Sequence, residues 1–482
     1  MTQEKAPLWD ALMKQAAVTG AQFHIPGHGS GKAIPAEFLQ FAGTGVFQLD
    51  LTEIPGLDDL HNPQEAIADA MRLAAEAYGA DKSFFLVNGT SCGLMALILT
   101  CCGPGDKIIV PRNAHRSVVS GLVLSGASPV YYQPAALGNF GCPVGPDYFQ
   151  IKKLLNENKN VKAVLAVNPT YYGIAGDISA LAGVCHGAAG SLVVDEAHGA
   201  HLRFHRELPP DALSCGADAV VQSTHKTGGS LTQSSMLHLK GKRVDPERVA
   251  EALRMVQSTS PSYLLMVSLD LARRQLALRG GELLEKTLQL ARWCRDKLSG
   301  VPGVKILGQE HLGAAGAEHL DPTRLTLSLL PLGLTGHRTA ELLHRRHRIF
   351  VEMADDAGVV AVISLGTTTE DCRRLVEAVQ EIAATEAGDP LHFPETLKLP
   401  RPMVVVSPRE AWQKPGKDVS LENSLDCICG ETVAVYPPGI PVVCPGEAIT
   451  QPVLDYLLEV RQRGLHVQGP GDASLRKLRV IV

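Results

Sequence analysis

The feature that most constrains the fold of this chain is a regular alternation of short apolar segments and helix-forming segments over its first half. The apolar segments predict strands over residues 83–87, 108–110, 129–132, 161–167, 192–194, 219–222 and 235–239. The helical spacing of the segments between them predicts helices over residues 90–102, from about 115, over 148–155 and near 178. Because strands that alternate with helices form mainly parallel sheets covered on both faces, the pattern predicts an α/β fold.

A helix with clear start and stop signals precedes the first strand. Asn62 is predicted as its N-cap, Pro63 takes the first helical position, and Glu65 follows the cap by three residues. Gly79 supplies the stop. Apolar residues recur between these signals at helical spacing, at Ile67, Ala70, Leu73, Ala74 and Ala77. These signals predict a helix that begins directly after Asn62.

The second half of the chain predicts two smaller units. A helix near residues 249–256 and a break at Pro261-Ser262 lead into a longer helix through residues 273–279. A new helix is expected to open a smaller α+β domain at about residue 285. The elements predicted for that domain are helices over 283–298, 339–345 and 370–383 and strands over 304–307, 324–330 and 359–365.

A change in composition marks the end of that smaller domain. Four prolines between Gly388 and Pro402 indicate a linker, and residues 403–482 form a compact tail with a turn at 436–439. We therefore predict three domains, over residues 1–284, 285–387 and 388–482.

Composition narrows the class of protein. Apolar residues make up 45% and charged residues 20%, which is a globular composition that excludes extended disorder. A formal net charge of −5 gives no general positive field for nucleic acid. The apolar stretch over residues 92–102 is shorter than the ~20 residues that cross a bilayer, and residues 1–14 show no secretory leader. The eleven scattered cysteines fit reduced thiols, so we predict a cytoplasmic protein with no membrane or nucleic-acid partner.

A first candidate site follows the strand at residues 83–87. The turn Asn88-Gly89-Thr90-Ser91 opens a helix, and its glycine lets backbone N–H groups approach an anion while its hydroxyls add donors. A helix N-terminus also carries about half a positive charge. The segment therefore predicts a phosphate cradle, although an ordinary capped helix has the same local sequence.

A second candidate lies at the end of the strand at residues 192–194. Asp195 follows that strand, and the ends of parallel strands point into the ligand crevice of open sheets. The sequence Asp-Glu-Ala-His is also the acidic motif of a class of helicases, which would require a P-loop. The nearest approach to a P-loop has Pro26 in place of the first glycine and Ala33 in place of the magnesium-binding hydroxyl. A nucleotide hydrolase is therefore the remote alternative.

A third candidate lies at the end of the strand at residues 219–222. Ser223, His225 and Lys226 follow that strand, and a lysine there can form a Schiff base while the hydroxyl and imidazole bind a phosphate ester. The alternative interpretation is a surface lysine at a strand end.

A metal site at His198, His201 and His205 is set aside, because no second carboxylate or cysteine completes it.

The three candidates together match the needs of pyridoxal phosphate. The chain resembles the bacterial ornithine/lysine/arginine decarboxylases of aspartate-aminotransferase fold (fold type I). The segments that carry the resemblance are residues 24–28 (HIPGH), 51–60 (LTEIPGLDDL), 88–91 (NGTS), 195–201 (DEAHGAH), 223–227 (STHKT), 259–263 (TSPSY), 436–441 (YPPGIP) and 445–447 (PGE). The resemblance implies a mainly parallel seven-stranded large-domain sheet, a smaller α+β domain and a C-terminal domain.

The resemblance also implies a role for each site residue. Lys226 would carry the cofactor aldehyde, Asp195 would pair with the pyridine nitrogen, and His198 would lie near the ring hydroxyl. His115 would stack on the cofactor ring. Lys226 or His115 would then protonate Cα once CO₂ has left. The phosphate would be held by Gly89, Thr90, Ser91, Ser223 and His225.

The resemblance implies an assembly as well, with one departure from the family pattern. The loop over residues 259–262 would reach the site of a partner subunit, in a homodimer or larger homo-oligomer. Gly29, which follows Pro26-Gly27-His28, stands where the family usually has lysine. This departure leaves open the contacts that the segment around Gly29 makes near the subunit interface. The chain lacks the N-terminal wing of the larger acid-induced members, so their decameric assembly is not implied.

The function predicted from these residues is decarboxylation of a basic L-amino acid. Arginine is favoured, giving agmatine and CO₂ within polyamine (spermidine) synthesis, and lysine and ornithine are the alternatives. Another reaction on the same fold, by an aminotransferase or a lyase, is the rival from a different class, because cofactor-binding residues do not fix the reaction. Candidates for binding the distal cationic group of the substrate are Glu53, Asp58, Glu352 and Glu447.

Overall fold

The structure is a computed structural model that describes residues 2–18, 20–391, 399–435 and 439–482, with Asn139 described by its backbone only. The helices described are α1 (Pro7–Ala16), α2 (Ala36–Ala42), α3 (Thr44–Leu49), α4 (Ala66–Tyr78), α5 (Gly89–Cys101), α6 (Arg116–Ser125), α7 (Tyr148–Glu157), α8 (Ile178–Gly187), α9 (Thr224–Thr227), α10 (Pro246–Val256), α11 (Tyr263–Ser299), α12 (Gly336–His347), α13 (Thr369–Thr385), α14 (Pro408–Gln413) and α15 (Gln451–Gln462).

The strands described are β1 (Lys82–Leu86), β2 (Lys107–Pro111), β3 (Ser128–Tyr132), β4 (Ala136–Leu137), β5 (Cys142–Pro143), β6 (Val161–Val167), β7 (Ile174–Ala175), β8 (Ser191–Asp195), β9 (Ala219–Gln222), β10 (Ser235–Leu239), β11 (Lys305–Ile306), β12 (His319–Leu320), β13 (Arg324–Ser328), β14 (Met353–Ala354), β15 (Val359–Val362), β16 (Gly416–Ser420), β17 (Val433–Val435), β18 (Ile440–Val443), β19 (Val467–Gln468) and β20 (Lys477–Ile481). Each of the seven strands predicted in the first half is present.

The largest sheet has seven strands in the order β1-β10-β9-β8-β6-β2-β3. Strand β8 pairs in parallel with β9, and β2 pairs in parallel with both β3 and β6. Strand β10 is antiparallel to its neighbours β1 and β9. The predicted mainly parallel, seven-stranded sheet is therefore confirmed.

The described residues fall into two compact units, and we describe each by itself. The first comprises Met1–Thr100 and Val193–Leu284, and the second comprises Cys101–Leu192 and Glu285–Val482. The division into three domains at residues 284 and 387 stays a prediction. No helix in the described part of the chain is both long enough and apolar enough to span a membrane.

In the first unit, helix α4 begins at Ala66 rather than at Pro63, and the prediction that Asn62 is its N-cap is wrong. The carboxylate of Asp58 performs the capping instead. It accepts hydrogen bonds from the backbone N–H groups of Gln64, Glu65, Ile67 and Ala68 at 3.0, 2.9, 2.9 and 3.3 Å. A carboxylate brought in from the preceding loop satisfies the free N–H groups of the first turn, which a local sequence rule does not detect.

Helix α11 also differs from the prediction. It runs without interruption from Tyr263 to Ser299, so the separate helix expected over residues 283–298 does not begin there. Gly280 lowers the local helix propensity but permits close packing, since a Cβ at this position would lie 2.9 Å from the Cβ of Phe204. The glycine suggests a helix end when only the local sequence is considered. In the structure it lies inside the helix, where its lack of a side chain makes room for Phe204.

The second unit contains a smaller α+β assembly, as predicted. Its four-stranded sheet has the order β11-β13-β15-β14, and every pairing in it is antiparallel. Leucines and valines of β13 and β15 form a buried core with helices α12 and α13 and the end of α11. Apolar residues recur along α13 at helical spacing, which places Leu375, Val379 and Ile382 in that core.

The C-terminal segment, residues 399–482, has its own core within the second unit. Strands β17, β18 and β19 form one small sheet, and β16 pairs with β20 in another. Helix α15 contributes Val453, Leu457 and Val460 to this core. The predicted turn at residues 436–439 lies largely outside the described residues, as do residues 392–398 of the predicted linker.

Candidate active site

The first unit brings two of the predicted strand-end residues to the same edge of the sheet. Strand β8 ends at Asp195 and β9 ends at Gln222, and the parallel register places Asp195 opposite Val221. The chain after β9 turns into the short helix α9, which carries Lys226. Because the carboxyl ends of parallel strands form the ligand crevice of such sheets, this edge is the candidate active site.

Lys226 is half-buried and contacts a second predicted site residue. Its Nζ lies 2.9 Å from Nε2 of His198, which is 5% exposed. A hydrogen bond between an amine and an imidazole lets one group donate while the other accepts, so the pair can share a proton. The alternative of an isolated surface lysine is therefore not supported.

Asp195 is a buried carboxylate, with 5% of the residue exposed. Its Oδ1 accepts a hydrogen bond from the backbone N–H of Ala197 at 3.2 Å. This contact orients the side chain at the turn that leads to His198. A buried acid at this position can stabilise a cation on a ligand, as the pyridine nitrogen of pyridoxal phosphate requires.

Three hydroxyls form a cluster at the first turn of helix α5. Thr90 Oγ1 lies 2.6 Å from Ser223 Oγ and 3.2 Å from Ser235 Oγ. The helix begins at Gly89, whose positive φ of 75° permits the tight entry from β1. Thr90 and the half-buried Ser91 therefore lie inside the first turn of the helix. The cluster brings two predicted phosphate ligands together.

His225 follows Ser223, a member of this cluster, by two residues in the sequence. Its Nδ1 lies 2.8 Å from the backbone oxygen of Ser234 and donates to it, which leaves Nε2 for a ligand. Burial lowers the pKa of His225, and the charge of Lys226 lowers it further, so the imidazole is neutral at pH 7. A phosphate dianion would favour the protonated form, in which Nε2 also donates.

His115 belongs to the second unit, where it is the N-cap of helix α6. Its Nδ1 accepts a hydrogen bond from the backbone N–H of Ser117 at 3.2 Å and lies 2.8 Å from the Ser117 hydroxyl. These contacts confirm the helix predicted from about residue 115 and fix the orientation of the imidazole ring. The role of His115 toward a cofactor stays a prediction.

Sequence reasoning missed several residues that support the cradle. Ser235 joins the hydroxyl cluster, and its position directly before an apolar strand was a usable signal. Gln257 and Gln233 hold the backbone of Val87, which precedes the cradle turn, through contacts of 2.9 and 2.5 Å. These two glutamines come from distant positions in the sequence, so no local pattern identifies them.

A buried acid next to Asp195 also escaped the sequence analysis. Glu196 is fully buried, accepts from the backbone N–H of Ala212 at 2.8 Å, and lies 2.6 Å from the amide of Gln222. Burial raises the pKa of Glu196 well above its ordinary value, and the nearby Asp211 raises it further. A neutral Glu196 connects the ends of β8 and β9 without adding a second negative charge beside Asp195.

We therefore expect Glu196→Gln to become more stable relative to the wild type as pH rises. The folded chain binds a proton at Glu196 that the unfolded chain releases near pH 4.5, so wild-type stability falls above that pH by up to about 1.4 kcal/mol per pH unit. Glutamine carries no such proton. Urea unfolding of both proteins at pH 5 and pH 8 measures the effect, with the exposed Glu251→Gln as control. An unchanged difference between the two pH values would show that Glu196 is ionised.

Two of the four acids proposed to bind a distal cation already have structural partners. Asp58 caps helix α4, and Glu447 forms an ion pair with Arg112 that is almost fully buried. Glu53 is an exposed residue, and its Oε1 accepts from the backbone N–H of Leu60 at 3.4 Å. Partial desolvation of its carboxylate, and the nearby Asp59, raise the pKa of Glu53. Among the described residues, no group of three or more His, Cys, Asp or Glu side chains is arranged to hold a metal ion.

The donor chemistry of the first unit fits pyridoxal phosphate. The cofactor needs donors for its phosphate, a carboxylate for its pyridine nitrogen and a lysine for its aldehyde. The hydroxyls at Thr90, Ser223 and Ser235, the carboxylate of Asp195 and the amine of Lys226 supply these groups. Each is held by contacts within one unit.

Comparison with known proteins identifies the family. Residues 6–371 match the family model for the major domain of Orn/Lys/Arg decarboxylase, and residues 395–471 match the model for its C-terminal domain. The chain belongs to the Orn/Lys/Arg decarboxylase family. The predicted resemblance is confirmed, and the chain is a pyridoxal-phosphate-dependent decarboxylase.

Full-length relatives agree with this assignment. The arginine decarboxylase of Bacillus subtilis (strain 168) is 42% identical over 483 residues, which cover 100% of this chain and 99% of that protein. The arginine decarboxylase of Halalkalibacterium halodurans is 41% identical over 99% of this chain and 98% of that protein. The crystal structure of lysine decarboxylase LdcF from Francisella novicida matches with a TM-score of 0.84 at 24% identity, covering 99% of this chain and 81% of that one. The last comparison confirms the fold.

Proposed function

We propose that this protein decarboxylates L-arginine to agmatine and CO₂. The observation that carries the proposal is the strand-end arrangement of Asp195, Lys226 and His198, with its contact of 2.9 Å between amine and imidazole. Four full-length or nearly full-length relatives at 39–42% identity are named arginine decarboxylases, which favours arginine over lysine and ornithine. Agmatine is a polyamine precursor, so the reaction belongs to polyamine synthesis of the spermidine type.

Each residue of the site has a proposed role that its contacts support. Asp195 keeps the pyridine nitrogen protonated, because a buried carboxylate stabilises the cationic form of its partner. Thr90, Ser91, Ser223 and the first turn of α5 hold the phosphate. When bound, the cofactor supplies an electron sink for the pair left at Cα after CO₂ departs.

Proton transfer falls to residues of the chain itself. Lys226 would hold the cofactor aldehyde, and its side-chain amine would be the group that moves a proton at this end of the site. His198 then lies within hydrogen-bond reach of that amine and can supply or accept its proton. Lys226 or His115 delivers the proton that replaces the carboxylate at Cα.

The assembly and location proposed from the sequence complete the assignment. We place the protein in the cytoplasm as a homodimer or larger homo-oligomer, with the loop over residues 259–262 near the site of a partner subunit. Three domains, over residues 1–284, 285–387 and 388–482, remain part of the proposal. Sedimentation of the purified protein with and without pyridoxal phosphate tests the oligomeric state directly.

We expect arginine to exceed citrulline by about tenfold to a hundredfold in kcat/KM. A guanidinium that pairs with a carboxylate at the far end of the pocket gains roughly 1.5–3 kcal/mol, whereas the neutral urea of citrulline does not. Lysine should be the weaker cationic substrate, because an ammonium cannot form the bidentate pair. Steady-state CO₂ release from arginine, citrulline, lysine and ornithine measures these ratios.

Equal rates on citrulline and arginine would mean that no carboxylate contacts the distal group. The basic-amino-acid assignment would then be wrong, and another reaction on the same fold would replace it. Faster turnover of lysine or ornithine would keep the decarboxylase assignment and change the substrate.

A further inference from the structure

The residue that leads into the phosphate cradle has its backbone held from both sides by side chains. Val87 follows the last residue of β1 and precedes the turn over residues 88–91. Its N–H donates to Oε1 of Gln257 at 2.9 Å, and its carbonyl oxygen accepts from Nε2 of Gln233 at 2.5 Å. All of these residues belong to the first unit.

The two contacts fix two successive peptide groups. Because a peptide group is planar, the contact of Gln233 with the Val87 carbonyl also sets the direction of the Asn88 N–H on the opposite side of the same plane. The contact of Gln257 with the Val87 N–H orients the preceding peptide group. Gly89 follows with φ of 75° and turns the chain into helix α5. The backbone at the entry to the cradle is therefore oriented before the helix begins.

A third contact joins the cradle to the end of helix α10. Gln257 is the C-cap of that helix, and the backbone N–H of the next residue, Ser258, donates to Oδ1 of Asn88 at 3.0 Å. The carbonyl oxygen of Ser258 lies 2.8 Å from Nε2 of His61. Helix α10 has an apolar face that is buried, so it gives the cradle a fixed support.

The segment over residues 233–235 contacts three parts of the predicted phosphate site. The side chain of Gln233 holds Val87. The backbone oxygen of Ser234 accepts from Nδ1 of His225 at 2.8 Å. The last residue of the segment belongs to the hydroxyl cluster at the first turn of α5. A shift of this segment would therefore move the cradle entry, the imidazole and one hydroxyl together.

Gln233 has a backbone conformation that is uncommon for glutamine. Its φ is 83°, in the left-handed region that glycine enters at no steric cost. The residue is exposed, so packing in a core does not account for a long side chain there. Its amide contacts the Val87 carbonyl. An exposed glutamine in an unfavourable conformation, with its amide on the cradle entry, indicates a functional role for that contact.

We propose that Gln233 and Gln257 are positioning residues, which hold the cradle in its anion-binding shape before the cofactor is bound. Backbone N–H groups bind a phosphate tightly when they already point toward it, because little order then has to be created on binding. The proposal rests on the proposed function, since it takes the cradle of that assignment as the phosphate site. Neither glutamine is assigned a contact with the phosphate. They control the affinity for the phosphorylated cofactor, and not the covalent attachment at Lys226.

The test compares pyridoxal phosphate with pyridoxal, which has the same aldehyde but no phosphate. Both ligands are titrated into the full-length chain freed of cofactor, and absorbance gives a dissociation constant for each. Gln233→Met keeps the length of the side chain and removes the amide that donates to Val87. Gln257→Met removes the acceptor for the Val87 N–H. The exposed Gln275→Met, on helix α11 within the first unit, is the matched control.

We expect Gln233→Met to raise the dissociation constant for pyridoxal phosphate by about fivefold or more, which corresponds to the loss of one hydrogen bond of typical strength. The constant for pyridoxal should stay within about twofold of the wild type, because pyridoxal does not use the cradle. Gln233→Met combined with Gln257→Met should raise the constant for pyridoxal phosphate by about twentyfold or more. Gln275→Met should change neither constant.

Gln233→Gly separates affinity from stability. This substitution removes the amide and also the steric cost of the positive φ, so the melting temperature without cofactor should equal or exceed that of the wild type. The affinity for pyridoxal phosphate should nevertheless fall, as in Gln233→Met. A residue that only stabilised the fold would move the two quantities in the same direction.

An unchanged dissociation constant for pyridoxal phosphate in Gln233→Met, or equal increases for both ligands, would overturn the proposal. If Gln257→Met fails to fold because a buried N–H loses its acceptor, the two Gln233 variants decide the question. A wild-type protein that binds both ligands equally well would contradict the phosphate cradle itself. Failure of the proposed function is distinct, since that protein would still prefer pyridoxal phosphate to pyridoxal but would release no CO₂ from arginine, lysine or ornithine.

Discussion

Replacing Lys226 by alanine is expected to lower CO₂ release by at least about a thousandfold while the protein still folds. The side chain supplies the covalent attachment for the cofactor and an amine at the reacting carbon, and neither function can be taken over by a methyl group. Lys226 is half-buried and its side-chain contact is to His198, so the core loses little when it is removed. Activity assays and thermal unfolding of the variant and the wild type measure both parts of the expectation.

A chemical experiment locates the same residue independently. Borohydride reduction of the cofactor-loaded wild type should leave a stable pyridoxyl label, and peptide mapping should find it on Lys226. The exposed Lys242 provides a matched control, because Lys242→Ala should keep both the label and the activity. A label on a different lysine, or near-normal turnover by Lys226→Ala, would refute the assignment.

Asp195→Asn is expected to retain the cofactor but to lower kcat by about a hundredfold or more. Asparagine has the same shape and its oxygen can still accept from the Ala197 N–H, so the local structure is preserved. A neutral amide, however, cannot keep the pyridine nitrogen protonated, and the electron sink is weakened at the step where charge develops. Asp195→Glu keeps the charge and should be less severe.

Cofactor absorbance and kcat, measured on the same preparations, distinguish loss of binding from loss of chemistry. Asp10→Asn, at an exposed position of α1, is the control and should behave as the wild type. If Asp195→Asn turned over as fast as the wild type, the carboxylate would have no role at the ring nitrogen. If it lost the cofactor entirely, Asp195 would contribute chiefly to binding.

The buried acids of this protein show how burial selects among chemically similar residues. Asp58 caps a helix, Glu447 pairs with an arginine, and Glu196 lies next to Asp195 with a raised pKa. All three are buried, yet each has a different set of partners. Asp195 is the last residue of β8 and lies opposite Val221 of β9, the strand that leads to Lys226. Position in the fold therefore assigns the role that residue type alone leaves open.

Much of the large sheet could be predicted from the sequence because its signals are local. Apolar runs such as residues 161–167 and 219–222 coincide with β6 and β9, and helix α6 begins where the pattern at His115 indicated. The placement of Asp195 and Lys226 after strands also followed from the sequence, since strand ends carry ligand-binding residues in this class of sheet. The motifs around these residues were sufficient to indicate the family.

Only the tertiary structure decided which residues surround those motifs. Asp58 replaced the predicted cap at Asn62, and Phe204 accounts for Gly280 within the unbroken helix α11. Glu447 meets Arg112 from 335 positions away in the sequence. Strand and helix signals depend on neighbours within a few residues, so the sequence by itself determined the order of elements and the strand-end chemistry. Capping, close packing and buried ion pairs depend on groups that folding brings together from distant positions, and no local pattern records which groups will meet.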